Sequence, residues 1–162
     1  MMQARSAIAV LIVSALWAVP ASAGDPMVVV QEQRAEEDLS PWRVRLLSSG
    51  EEPLWENGDR VRLLLPPEDS GEALDRFYEF LDRSPFELRK IWVDKVFKGE
   101  AVALPMRPQT VDDLLQELLA DPGGLAILPA DAFASGVPDG LKVLSVGGKR
   151  AGDVGYALAA GL

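Results

Sequence analysis

The chain has 162 residues, a formal net charge of −9, and neither histidine nor cysteine. Those absences exclude a Ser-His-Asp triad, a Cys-His pair, disulfides, and zinc sites built on His or Cys. Its 16 basic residues are scattered rather than clustered, which argues against nucleic acid or an anionic membrane surface as a partner.

Residues 1–23 read as a secretory signal. Arg5 supplies a positive start, Ser6 to Val19 is an almost unbroken apolar run, Pro20 breaks it, and Ala21-Ser22-Ala23 is a small-residue cleavage site. The run of about 14 residues is short against the roughly 20 that span a bilayer. The expectation is a cleaved leader, Gly24 as the mature N-terminus, a periplasmic location, and no membrane anchor after cleavage, since no Cys follows the site to carry a lipid. Taking 23 residues from 162, with Arg5 their only charge, leaves 139 residues at net charge −10, a length suited to one domain spanning 24–162.

Met27 to Gln31 is a β-branched run that predicts a buried strand, followed by a polar loop to Asp38. Ser40-Pro41 predicts an N-cap with proline at the first helical position, and Trp42, Leu46 and Leu47 would form the apolar side of a short helix. Ser48 to Asp59 reads as an exposed loop around Trp55, with a turn at Asn57-Gly58. Val61 to Leu65 is the next strand, stopped by Pro66-Pro67.

Three stronger helices follow. Asp69 or Ser70 is expected to cap the first, with Glu72 three residues after Asp69; Leu74, Phe77, Tyr78 and Leu81 form one apolar face. Ser84-Pro85-Phe86-Glu87 carries the Ser and Glu of a capping box, with Leu88, Ile91, Trp92 and Val96 lining the helix and Gly99 ending it. Thr110 to Asp113 opens the third, in which Val111, Leu114, Leu115, Leu118 and Leu119 fill the buried stripe before Asp121-Pro122-Gly123-Gly124 stops it. Strands at Leu125–Leu128 and Leu141–Val146 come next, with one helical turn near Ala130 to Phe133 between them. The Gly-rich tail offers Tyr156 and Leu158 as docking points. Alternating strands and helices predict an α/β domain with one mixed or parallel sheet flanked by helices.

Candidate sites are few. The Asp69-Ser70-Gly71 helix start presents free N–H groups and a positive dipole end to an anion, although Glu68, Asp69 and Glu72 would repel a dianion. The favoured reading of these residues is an ordinary N-cap. Gly147-Gly148-Lys149-Arg150 lacks phosphate-loop spacing and reads as a solvated turn. Asp112-Asp113 with Glu117 is accounted for by the helix dipole. No calcium loop, metal cluster, cofactor motif or catalytic constellation is found. Of Trp42, Trp55 and Trp92, the aromatics able to stack on a ligand, Trp92 is expected in the core and Trp55 exposed.

Several segments together carry a resemblance. Val28-Val29-Val30, Leu63 to Gly71 (LLLPPEDSG), the helix Leu88 to Trp92 with Val96 to Gly99, Pro122 to Ala130 (PGGLAILPA) and Gly152 to Tyr156 (GDVGY) resemble, in this order, the short phosphate-binding-protein-like family of exported proteins. These are related to the solute-binding component of phosphate ABC transporters. PGGLAILPA is the most specific match. The resemblance implies one lobe of a type 2 periplasmic binding protein, whose full members close two lobes on the ligand. It implies a soluble, non-enzymatic, cofactor-free module, with a small anion as ligand at Ser70 and Gly71. It also implies a transporter or another periplasmic protein as partner. Related phosphate binders carry a Ser-Gly-Thr turn with an arginine a few residues earlier; here position 72 is Glu, and Leu63, Leu64 and Leu65 stand where the arginine would help. The alternative is an interaction or accessory protein that has lost the anion site.

Overall fold

The computed structural model describes residues 24–101 and 103–159; the expected signal segment lies outside them. Five strands form one mixed sheet in the order β2-β5-β1-β4-β3, comprising β1 (Pro26–Gln31), β2 (Asp38–Leu39), β3 (Arg62–Leu64), β4 (Gly124–Pro129) and β5 (Leu141–Val146). β1 is central and runs antiparallel to both neighbours, while β2 pairs parallel with β5 and β3 parallel with β4. Four strands therefore share a direction and β1 alone opposes them.

The four helices are α1 (Pro41–Ser49), α2 (Glu72–Leu81), α3 (Pro85–Phe97) and α4 (Val111–Ala120). Their starts follow local chemistry. Ser40 accepts from the Arg43 amide, Ser84 and Glu87 form the reciprocal capping box, and Thr110 accepts from the Asp113 amide.

The strands alternate between two cores because neighbouring side chains point to opposite faces. Val28, Val30, Leu63, Leu125, Ile127 and Leu144 face α1, α2 and α3, meeting Leu47, Phe77, Leu88 and Trp92. Met27, Val29, Leu64, Ala126 and Leu128 face α4, meeting Leu114 and Leu118. The central strands are thus covered on both faces, which is why they read as continuous apolar runs. The tail closes the first core through Tyr156 and Leu158, both buried.

Several expectations are corrected. Of the residues expected on the apolar side of α1, Leu47 is buried, but Trp42 is 65% exposed and Leu46 only partly buried, and Val44 takes the inner position, because that face is set by contact with α3 and not by the bulk of the aromatic. Leu119 is 48% exposed, since one helix packing on a narrow sheet face needs only Leu114 and Leu118 at its centre. Val61–Leu65 shortens to Arg62–Leu64.

Trp55 is buried at 2% exposure, against the expectation of an exposed aromatic. The Arg34 guanidinium lies 3.9 Å over its ring, and its Nε1 donates to the Gly123 carbonyl at 2.9 Å. Arg34 itself donates to the Pro122 carbonyl at 2.6 Å and pairs with Glu36 and Asp59. Residues 55–60 are so bound onto the turn between α4 and β4. A Cβ on Gly123 would sit 1.9 Å from the Arg60 carbonyl oxygen, so this close approach requires glycine.

Leu118→Ala should lower the unfolding free energy by about 2–5 kcal/mol in urea titration. Leu119→Ala, one position on, should change it by less than about 0.5 kcal/mol. Equal losses would contradict the placement of α4.

Candidate functional site

Because β1 opposes the other four strands, its first residues arrive at the edge where those four end. Open α/β sheets bind ligands outside this carboxyl edge. Gathered here are Asp25 at the start of β1, Ala130 after β4, Gly147 after β5, and the segment from Leu65 to Gly71 after β3. The Ala130 amide donates to the Asp25 carbonyl at 2.9 Å and the Gly147 amide to the Leu39 carbonyl at 2.8 Å, tying the edge together.

Ser70 and Gly71 lie at this edge, but not as an N-cap built on Asp69 or Ser70. Glu68–Ser70 forms a single 3-10 turn, closed by the Ser70 amide donating to the Pro67 carbonyl at 3.0 Å. Helix α2 begins only at Glu72. Its N-cap is Gly71, at φ 42° and ψ −99°, which makes no side-chain cap bond. The physical reason is the proline pair. Pro66-Pro67 deliver the chain in extended geometry, the tight turn consumes three residues, and the reversal into α2 needs a positive φ that glycine adopts at low cost. The first-turn N–H groups of α2 are consequently left without the side-chain cap expected for them.

Two arginines flank this start. Arg76, one turn into α2, pairs with Glu72 and with the buried carboxylate of Asp25. The other Asp25 oxygen accepts from the Gly152 amide at 3.2 Å, which draws the tail onto the edge. Arg107 was not legible as a site residue in the sequence. Its segment joins the sheet edge through the Leu65 amide, which donates to the Met106 carbonyl at 2.8 Å. From there Arg107 Nη1 donates to Glu68 at 3.2 Å and Nη2 to the Tyr78 hydroxyl at 3.0 Å. A cation does therefore reach the turn at residues 68–70, from a segment nearly forty positions away in the chain rather than from Leu63–Leu65. The local signal that could have found it is the pair Pro105 and Pro108, which favours an extended chain around Arg107.

The remaining candidates resolve into structural roles. Gly147 and Gly148, at φ 60° and 76°, make a tight turn closed by the Val146 amide donating to the Lys149 carbonyl at 2.7 Å. Asp38 braces it, and hydrogen bonds from the Ser145 hydroxyl and the Gly148 amide hold its carboxyl below the usual range. Asp113 belongs to the Thr110 cap and Glu117 pairs with Arg62 at 3.5 Å. Trp92 is in the core, its Nε1 donating to the Ser48 carbonyl at 2.9 Å.

Tyr156 is 1% exposed, and its hydroxyl is buried with no hydrogen-bond partner. Burial pushes its pKa far up, and the Asp25 carboxylate nearby adds to the effect. The tail is thus docked by a phenol that must stay neutral.

No described helix is long and apolar enough to cross a membrane. No protein-family model and no curated protein matches the sequence. Solved structures do. An ABC-type phosphate transport receptor from Vibrio cholerae superposes with a TM-score of 0.60 at 9% identity over 83% of this chain and 52% of that one. A protein described as a phosphate ABC transporter substrate-binding protein, from Clostridium perfringens and solved with phosphate bound, gives 0.57 at 12% identity over 78% of this chain and 46% of its own. PstS from Borrelia burgdorferi gives 0.55 at 12% identity over 78% of this chain and 48% of its own. The likeness is one of fold. The chain spans about half the length of these proteins and matches one lobe of the phosphate-binding architecture.

A tyrosine whose folded pKa is raised binds more protons folded than unfolded above the ordinary value of 10.0. Its contribution to stability is full below pH 10 and is lost as pH rises further, at up to about 1.4 kcal/mol per pH unit. Tyr156→Phe should be neutral or stabilising at pH 7, because it removes an unpaired buried hydroxyl. It should also flatten the alkaline loss measured by denaturant titration between pH 9 and 11. An unchanged alkaline slope would contradict the assignment.

Proposed function

We propose that this chain is a non-enzymatic, exported solute-binding module. Its single lobe takes a small anion, phosphate first among them, at the start of α2. The observation that carries the reading is the uncapped start of α2 behind Ser70 and Gly71, at the carboxyl edge of a sheet shared with phosphate-binding proteins. Arg107 supports it by bringing a positive charge to the adjoining turn. Glu72, exposed in the first turn of α2, tunes the choice of anion. Its carboxylate accepts a hydrogen bond from an oxyanion that still carries a proton and repels one that does not. Phosphate is therefore preferred over sulfate. The partners consistent with this role are a transporter or another periplasmic protein, reached after removal of residues 1–23.

A second reading is favoured by a specific observation. Arg76 is already neutralised by Asp25 and Glu72, and Glu68 occupies one edge of Arg107. A lobe whose cations are satisfied internally would serve as an accessory or interaction protein without a small ligand.

Calorimetric titration of the exported chain with phosphate, with sulfate as control, separates the two. Saturable phosphate binding that weakens at least tenfold in Gly71→Asp supports the anion site, since an added carboxylate at the helix start opposes an anion by roughly 1.4 kcal/mol or more. A Cβ at Gly71 would meet no atom within 4 Å, but the positive φ strains any side chain there, so Gly71→Ala is the control: it should keep phosphate binding and so assign the loss in Gly71→Asp to charge. Absence of heat and of thermal stabilisation at millimolar phosphate would overturn the phosphate site and turn the search to protein partners. Intact-mass measurement of the exported protein should give a chain beginning at Gly24; retention of residues 1–23 would contradict export by a cleaved leader.

A further inference from the structure

A cavity of about 510 Å³ opens between the start of α3 and the segment 104–107. It lies within the range of about 300–1,000 Å³ typical of small-molecule sites. Its walls are of two kinds. Leu65, Leu88, Phe86 and Leu104 form an apolar side, and Arg89 and Arg107 bring two guanidinium groups against the single carboxylate of Glu68. In a chain of net charge −9 this is a locally positive lining.

Each group is presented in a way that packing alone does not require. Phe86 is 76% exposed at the cavity rim, although Leu88 and Trp92 of the same helix are 2% exposed. Arg107 is held in one orientation by the hydroxyl of Tyr78, a residue only 8% exposed. Its other contact, Glu68, has a side chain 86% exposed and can be displaced into solvent by a competing anion. Arg89 forms no ion pair among the described residues. A planar fork held by a buried phenol is suited to a carboxylate, which it engages through two parallel hydrogen bonds. The apolar wall beside it suits a compact aromatic or branched aliphatic body. A bare inorganic anion would leave that wall wet, and a cation would meet both arginines.

We propose that this cavity binds a small amphipathic carboxylate, an apolar body with one negative end, through Arg107 and Arg89 at the charge and Phe86 and Leu104 at the body. The site shares Arg107 with the anion reading made for Ser70 and Gly71, but its other contacts, Arg89, Phe86 and Leu104, lie outside that helix start, so it stands whether or not Ser70 and Gly71 hold an anion.

The test is calorimetric titration of the purified chain with 3-phenylpropionate, using 3-phenylpropylamine as the charge-reversed control and inorganic phosphate as the anion without a body. The expected result is saturable binding of the carboxylate and none of the amine. Affinity should fall about tenfold in Arg107→Gln and about fivefold or more in Arg89→Gln and in Phe86→Ala. Arg89 and Phe86 are exposed on α3, so these two variants fold normally and keep the test decisive if Arg107→Gln is destabilised. Binding should persist in Gly71→Asp. No saturable binding at millimolar 3-phenylpropionate overturns the proposal. So does equal binding of the amine, displacement by phosphate at equal strength, or loss of binding in Gly71→Asp.

Discussion

The structure depends on burying one strand, β1, on both of its faces. Its side chains alternate between the core under α1, α2 and α3 and the core under α4, so neither face can be left to solvent. Val28, Val29 and Val30 are all fully buried, and removing either helical layer would expose a row of apolar side chains. Gln31 extends the constraint beyond apolar contact. Its amide nitrogen donates to the Leu118 and Leu119 carbonyls at 3.0 Å each, supplying donors to the end of α4, where no basic residue stands.

The direction of β1 has a functional consequence. A strand running against its four companions places its own beginning at their ends. Asp25 therefore stands beside the first turn of α2 rather than at the far side of the sheet. There it neutralises Arg76 and receives the Gly152 amide, so one buried carboxylate links the start of the sheet, the start of a helix and the tail. A buried carboxylate is stable only when paired and hydrogen-bonded, and Asp25 meets both conditions. The price is a hydroxyl at Tyr156 left without a partner beside it. Arg34 plays a comparable part at the opposite edge, where a guanidinium buried against Trp55 holds an otherwise irregular segment to the turn before β4.

The helices were legible because their evidence is periodic and local. Leu74, Phe77, Tyr78 and Leu81 repeat at helical spacing and are all buried, and the Ser84–Glu87 box needs only four consecutive residues to form. The same logic misplaced the start of α2. A cap at Asp69 or Ser70 is locally plausible, yet the chain leaving Pro66-Pro67 has to turn within three residues, and Gly71 takes the cap position. Trp55 was misjudged for a related reason. Its neighbours in sequence are acidic and polar, while its neighbours in space are Arg34 and Gly123, some 21 positions before it and 68 after it.

The sequence by itself determined the α/β class, the four helices, the principal strands and the absence of histidine and cysteine chemistry, since each follows from composition or from residues within one turn or strand of one another. Tertiary structure alone decided which apolar side chains were inside, that β1 opposes the other strands, and which charges meet. Asp25 and Arg76 are 51 positions apart, and Arg107 and Glu68 are 39 apart. Contacts of that span arise only once the sheet order is set, because strand direction and helix packing bring such residues together, and no local pattern encodes them.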